Sequence, residues 1–268
     1  MSSRAMLVGG MSAAAAAALV FIRGRRSGFR QGPAFTIGYW DIRGLAAPAR
    51  MMLVYAGCDF EDRTFELKEK PGGGWDAAAW FEECRPALRE QNPFINLPYL
   101  VDHSNGLLVA QSTAVYQYLG RNLGLMGSTE AEWAASEQTL AQAFDLRNEL
   151  VRIVYPFSGC TAEKFPTMLA KHLRAISSSH YDKFSKFLGD KPFFAGDSPT
   201  AGDFHVWEML DQHELMAAQA TPPFESPLSN HPTLRAFYER FRSLPRLAPY
   251  FASEAAQLPC NNRMANFM

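Results

Sequence analysis

The 268-residue chain is 47% hydrophobic and 13% aromatic, enough to fill one large or two small cores, which excludes a disordered chain. Its 26 basic and 27 acidic residues leave a net charge of -1, so no bulk field points to nucleic acid or an acidic substrate, and a small neutral or zwitterionic ligand fits better. Four scattered cysteines, Cys58, Cys84, Cys160 and Cys260, suit neither a disulfide scaffold nor a paired zinc site and read as reduced, mostly structural thiols.

Residues 5 to 22 carry no charge, and Arg23, Arg25, Arg26 and Arg30 follow at once. Such a run at about 1.5 Å rise nearly crosses a bilayer core of about 30 Å, but its alanine, glycine and serine make insertion only marginally favourable. If it inserts, the arginines keep the globular part on the cytoplasmic side. The absence of acids equally suits an organellar transit peptide, whereas basic residues placed after the apolar run argue against a cleaved secretory signal. Residues 1–33 are therefore expected to be a targeting or membrane-anchor segment, with membrane contact through residues 5–22 and a junction at Gly32-Pro33.

From residue 34 to about 122 strands and helices interleave. Phe35 to Trp40 has the β-branched and aromatic content of a strand, and residues 45 to 56 repeat apolar side chains at helical spacing, which makes a β-α turn at Gly38-Tyr39-Trp40-Asp41-Ile42-Arg43-Gly44-Leu45. A strand over 59–66, a Gly-rich loop, a short helix over 75–84, strands over 98–102 and 107–110 and a helix over 112–122 follow. Asn105-Gly106 between the last two strands is hairpin chemistry, so one strand pair is antiparallel. From 129 onward apolar residues recur at spacings of three and four over 129–155, 163–188, 200–215 and 231–242, the pattern of an all-helical domain. Thr200 and Asp203 form a capping box ahead of the third segment. Residues 259–268 read as a tail. The glycines at 72–74 lack the lysine of a phosphate loop, and zinc-protease and nucleophile-elbow motifs are absent. The six histidines fall outside close ligand spacing, so no metal is expected, and surface or capping roles are expected for His205 and His213.

The Tyr39 strand end, the stretch from Gly72 to Trp80, Asn96-Leu97-Pro98, Gln111-Ser112 and the Thr200 capping box stand in an order that resembles the cytosolic-type glutathione S-transferases, and the 38–45 stretch is most like their mu class. The resemblance covers about residues 34 to 255. It implies an α/β thioredoxin-like N-terminal domain with a mixed β-sheet, over 34–122, and an all-α C-terminal domain over 129–258. It also implies a homodimer that uses glutathione as co-substrate, with no further cofactor.

The resemblance makes Tyr39 the catalytic residue and assigns glutathione binding to Trp40, Arg43, Leu45, Trp80, Asn96, Leu97, Pro98, Gln111, Ser112 and Asp145. Leu97-Pro98 matches a cis-proline segment whose preceding residue pairs with the cysteinyl part of glutathione, although an X-Pro bond is cis in only about one case in twenty. Gln111 and Ser112 lie where a strand gives way to a helix, so free N–H groups and a positive dipole end face the γ-glutamyl carboxylate; an ordinary N-cap at Ser112 is compatible with this. Trp80 would donate its indole N–H to the tripeptide, or serve as a packing anchor. The family's lysine for the glycyl carboxylate is replaced by Cys84, which leaves that task to Arg85 or Arg89. Asp145 matches an aspartate that reaches across the dimer interface, and its alternative is a solvated helix acid. Tyr155 is the candidate for the electrophile site, with core burial as its alternative.

A reference thiol has a pKa of about 8.5, and a tyrosine hydroxyl that stays protonated to about pH 10 can donate to its thiolate. The expected activity is attack of that thiolate on hydrophobic electrophiles such as aryl halides, epoxides or lipid-oxidation products. A glutathione-dependent isomerase or peroxidase of the sigma type and a non-catalytic carrier of glutathione or lipophiles are the competing readings, and Cys58 or Cys84 as a redox centre is weaker.

Overall fold

The six residues Phe35–Trp40 form the central strand β1, and its apolar content is explained by burial on both faces. The computed structural model describes residues 32–268, so the segment read as an anchor or targeting sequence lies outside the described residues. Among the described residues no helix is long and apolar enough to cross a membrane. After β1 come helix α1 (Ala47–Tyr55), β2 (Phe60–Phe65), the short pair β3 (Lys68–Glu69) and β4 (Trp75–Asp76), α2 (Arg85–Gln91), β5 (Tyr99–Asp102), β6 (Leu107–Ala110) and α3 (Ser112–Leu123). The sheet order is β2-β1-β5-β6, with β1 parallel to β2 and the other two pairs antiparallel. Gly38 pairs with Tyr99 across β1 and β5, and a Cβ there would lie 2.1 Å from a ring carbon of Tyr99, so only glycine admits that ring.

The helical half contains α4 (Glu130–Val154), α5 (Phe165–Ile176), α6 (Asp182–Leu188), α7 (Ala201–Gln219) and α8 (Pro232–Arg242), followed by the short helices α9 (Ala248–Phe251) and α10 (Glu254–Gln257). The Thr200 capping box forms as the sequence implies, with the Thr200 N–H donating to Asp203 Oδ2 at 2.8 Å. A second box, Thr129 with Glu132, opens α4. Two segments differ from the periodicity. The expected helix over 75–84 is instead the β4 strand, a π-helical turn at Ala79–Cys84 and α2, because Pro86 has no N–H to continue the helical ladder. The expected helix over 163–188 is interrupted by a π-helical turn at Ser177–Tyr181.

Both halves contribute to one continuous core, and Pro33–Met268 form one compact unit. The tail is part of it. Phe267 is buried, the Asn266 N–H donates to the Val154 carbonyl at 2.7 Å, and the Asn266 side chain donates to the Cys160 carbonyl at 2.8 Å. His205 and His213, expected at the surface or at caps, are instead fully buried on α7, since that helix is covered nearly all round. Their burial pushes His205 down to about 3 and His213 down to about 4.

Candidate active site

Tyr39, the penultimate residue of β1, is buried at 5% exposure, and its ring lies over the turn that follows. Gly44 has φ +39°, and a Cβ at that position would come within 2.8 Å of both the Tyr39 hydroxyl oxygen and a ring carbon. Glycine is thus needed twice, for the positive φ and for the space. Two of the turn's donors are committed to the tail: Arg43 N–H donates to the Pro259 carbonyl at 2.8 Å and Gly44 N–H to the Cys260 carbonyl at 3.1 Å. The Leu45 carbonyl accepts from the Tyr116 hydroxyl, which ties the turn to α3. Trp40 is half-buried and leans on Phe81 at 6.2 Å between ring centroids.

Arg43, expected at the glutathione site, points its guanidinium elsewhere. It donates to Glu208 at 2.8 Å and to Asp211 at 2.6 Å on α7, in a pair of buried ion bridges. Burial alone would lower its proton affinity, but the two carboxylates outweigh it and keep the arginine firmly charged. Its charge is spent within the fold, and a ligand carboxylate would have to compete with two fixed ones. Removing it would leave two buried acids without a counter-charge, so Arg43→Met is expected to cost about 3 kcal/mol in urea unfolding. A loss below about 1 kcal/mol would mean that the acids are solvated or neutral. Behind this cluster a cavity of about 450 Å³ is bordered by Arg43, Asp211, Tyr238, Arg242 and Tyr250, without Tyr39.

The cis-proline segment is as the resemblance implies: Leu97-Pro98 is cis, immediately ahead of β5. Asn96 is exposed, and its side chain accepts from the Leu97 N–H at 2.9 Å. Gln111, at the N-cap of α3, has φ 71° and ψ 118°, a region costly for a side chain with a Cβ. Its amide donates to the Phe94 carbonyl at 3.4 Å, and Ser112 opens the helix, so this end of α3 presents backbone donors with the positive end of the helix dipole.

Other expected ligands are placed differently. Trp80 is fully buried and stacks on Tyr99 at 5.9 Å; its indole N–H has no partner, so in this structure it anchors a small core with Phe65 and Ile95 instead of meeting an open surface. Arg85 is half-buried and lies over the Phe81 ring at 5.6 Å, while Arg89 is exposed on the last turn of α2. Asp145 is exposed on α4 and borders a hollow lined by residues of α4 and α6, among them Gln142 and Lys183.

Tyr155 caps the C-terminal end of α4 at 6% exposure, and its hydroxyl accepts the Asn262 N–H of the tail at 3.2 Å. Burial raises the Tyr155 and Tyr116 hydroxyls above their ordinary range, and Tyr39 lies near enough to add to both effects. Arg147 of α4 bears on the same two tyrosines and on His205, and the sequence reading missed it. The only signal was a basic residue two positions after Asp145. The four cysteines are free. Burial raises Cys58 above its ordinary value and pushes Cys260 up to about 12, so neither is a ready nucleophile.

Residues 35–121 match the family model for the glutathione S-transferase N-terminal domain, and residues 144–254 match the model for its C-terminal domain. The chain is 34% identical to glutathione S-transferase Mu 1 of Oryctolagus cuniculus over 218 residues, which cover 81% of this chain and 90% of that protein. It is 31% identical to the human glutathione S-transferase Mu 3, covering 86% of this chain and 94% of that one. Among solved structures, the glutathione S-transferase Blo t 8 superposes with a TM-score of 0.71 at 28% identity, over 87% of this chain and 99% of its own. The enzyme from Ascaris lumbricoides gives a TM-score of 0.65 at 29% identity, over 82% and 97%. With a Tyr39 strand end, a cis-proline segment and a free helix end in one thioredoxin-like half, and both halves matched along their length, the chain belongs to the glutathione S-transferase family.

Proposed function

We propose that this chain is a glutathione transferase that conjugates glutathione, as co-substrate, to hydrophobic electrophiles. The observation that supports this most is the Tyr39 hydroxyl, fixed over Gly44 in a turn whose Arg43 and Gly44 N–H groups are already committed to the tail. The backbone at Leu97 pairs with the cysteinyl part of glutathione, and the start of α3 at Gln111-Ser112 takes the γ-glutamyl carboxylate, so the sulfur comes to Tyr39. The phenol donates to sulfur, the thiol proton leaves to solvent, and the thiolate forms a C–S bond as the electrophile's leaving group departs with its electron pair. Asn96, Leu45 and Trp40 shape the tripeptide site, Arg85 is nearest in sequence to the position of the glycyl-carboxylate lysine, and Tyr155 faces the electrophile. The test is the purified chain with glutathione and 1-chloro-2,4-dinitrobenzene, read as thioether by mass spectrometry. Absence of thioether alongside rearrangement of a lipid peroxide without loss of glutathione would replace this reading with the isomerase.

The working unit is proposed to be a homodimer in which Asp145 serves the glutathione of the partner subunit. Phe94, 74% exposed, and Phe81, 50% exposed, lie on the thioredoxin-like half as large apolar side chains in need of cover. Burying one such ring contributes about 2 kcal/mol, so Phe94→Ser is expected to weaken dimerisation about 30-fold in sedimentation velocity. A wild-type chain that sediments as a monomer at micromolar concentration would end the dimer reading.

A further inference from the structure

The turn that follows Tyr39 is held by a side chain that the reaction does not itself use. Arg50, on α1, is fully buried, and its Nη1 donates to the Ile42 carbonyl at 2.7 Å. Among the described residues no backbone N–H reaches that carbonyl. The same peptide unit ends in the Arg43 N–H, which donates to the Pro259 carbonyl of the tail. The Ile42–Arg43 peptide is therefore fixed at its oxygen by α1 and at its nitrogen by the tail. Strand β2 holds the assembly from a third side: Asp62 Oδ2 lies 2.9 Å from Arg50 Nε, and the Phe65 carbonyl accepts from the Asp41 N–H at 3.0 Å.

Stability alone does not call for an arginine at this place. Asp62 is 26% exposed, and Arg50 Nη2 is buried without a partner, so the cation is incompletely compensated. An apolar side chain of similar volume would serve the core at least as well. What it would lack is a donor aimed at the Ile42 carbonyl. Gly44 follows this peptide by one residue, and a Cβ built there would lie 2.8 Å from the Tyr39 hydroxyl oxygen and 3.1 Å from Ile42 Cδ1, so a small displacement of the turn reaches the hydroxyl directly. Glycine gives the turn freedom to rotate, and a misplacement of about 1 Å at a reacting group costs about 100-fold in rate. We infer that Arg50 is a positioning residue of the reaction, which through the Ile42 carbonyl holds the turn against which the Tyr39 hydroxyl is set. The inference rests on the reading of Tyr39 as the donor to the thiolate.

The test uses the full chain with glutathione and 1-chloro-2,4-dinitrobenzene, and follows the absorbance of the bound thiolate against pH. Arg50→Met removes the donor and keeps most of the volume. It is expected to move the thiolate titration up by about one pH unit and to lower kcat about tenfold at pH 6.5, with KM for glutathione within about twofold of the wild type. Arg50→Lys keeps the charge, but a single ammonium cannot hold both Asp62 and Ile42 as a planar fork does, and the titration should move about half as far. An arginine with a structural role only would lower the urea midpoint and leave the titration of the folded enzyme in place, which would overturn the assignment. A wild-type titration in Arg50→Lys would overturn it as well, by showing that charge alone acts, and this variant decides the matter if Arg50→Met does not fold. Tyr39→Phe keeps the two readings apart. If its titration does not move, the Tyr39 reading fails and this inference with it; if it moves while both Arg50 variants stay at the wild-type value, only the role of Arg50 falls.

Discussion

Tyr39→Phe is expected to slow conjugation about 50-fold at pH 6.5 but only about twofold at pH 8.5. A reference thiol ionises near pH 8.5, and lowering that value by about two units takes about 2.7 kcal/mol of extra stabilisation of the anion. A single phenol donor is well placed to supply much of it, because a hydrogen bond to a charged partner in a buried site is about twice as strong as a neutral one. With the hydroxyl gone, about 1% of the bound thiol is ionised at pH 6.5 against about half in the wild type, and rising pH restores the difference. The substitution is conservative in shape. The phenyl ring still covers Gly44, so the turn and its bonds to Pro259 and Cys260 remain. Glutathione affinity, followed by tryptophan fluorescence, should therefore stay nearly constant while the rate falls. A loss of equal size at both pH values would show that Tyr39 positions substrate and does not stabilise the thiolate.

The parts of this molecule that were legible in the sequence are those fixed by local chemistry. Strand β1 was announced by a run of branched and aromatic residues, the β5–β6 hairpin by Asn105-Gly106, and helix α7 by its Thr200–Asp203 box. Each depends on neighbours within a few positions. The cis bond at Leu97-Pro98 was anticipated only through family resemblance, since local preference alone favours trans. The π-helical turns at Ala79–Cys84 and Ser177–Tyr181 were not anticipated, because apolar spacing of three or four does not distinguish a continuous helix from one with a widened turn.

The candidate site was less legible where long-range pairing decides a side chain's fate. Arg43 sits inside the motif that carries Tyr39, yet its partners Glu208 and Asp211 are 165 and 168 positions away, and nothing local announces them. Residues 259–268 read in the sequence only as a tail. Their backbone nevertheless holds the Tyr39 turn and reaches Tyr155, so they bear on both halves of the reaction.

Acidification from pH 7.5 to pH 5 is expected to remove about 4 to 5 kcal/mol of stability, mainly through three buried histidines, two of which, His205 and His213, were expected at the surface or at caps. His172, His205 and His213 are buried and neutral, with values pushed down from 6.5 to about 3, about 3 and about 4. The first two causes for His172 are burial and the neighbouring His213, whose Nε2 lies 2.9 Å from its own. His213 in turn is fixed by its Nδ1 contact to the Met209 carbonyl at 2.6 Å, which leaves its Nε2 to accept from His172. In all three the folded value lies below the unfolded one, so the unfolded chain takes up protons first and stability falls as pH drops below 6.5. At pH 5 this amounts to about 2 kcal/mol for each ring. Asp203 acts in the opposite sense: burial pushes it up to about 6, so the folded chain gains a proton first. That offsets about 1.4 kcal/mol at pH 5. Below about pH 4 the slope flattens as the folded rings begin to protonate. Urea unfolding followed by circular dichroism at the two pH values reads the total. His205→Leu isolates one share, because both ring nitrogens of His205 lack partners and its neighbours are Tyr116 and Phe144 at 5.5 and 4.6 Å between ring centroids. The variant should be more stable than the wild type at pH 7.5 and should lose about 2 kcal/mol less on going to pH 5. An undiminished acid loss in His205→Leu would show that this ring is solvated or already paired, and that the acid sensitivity arises elsewhere.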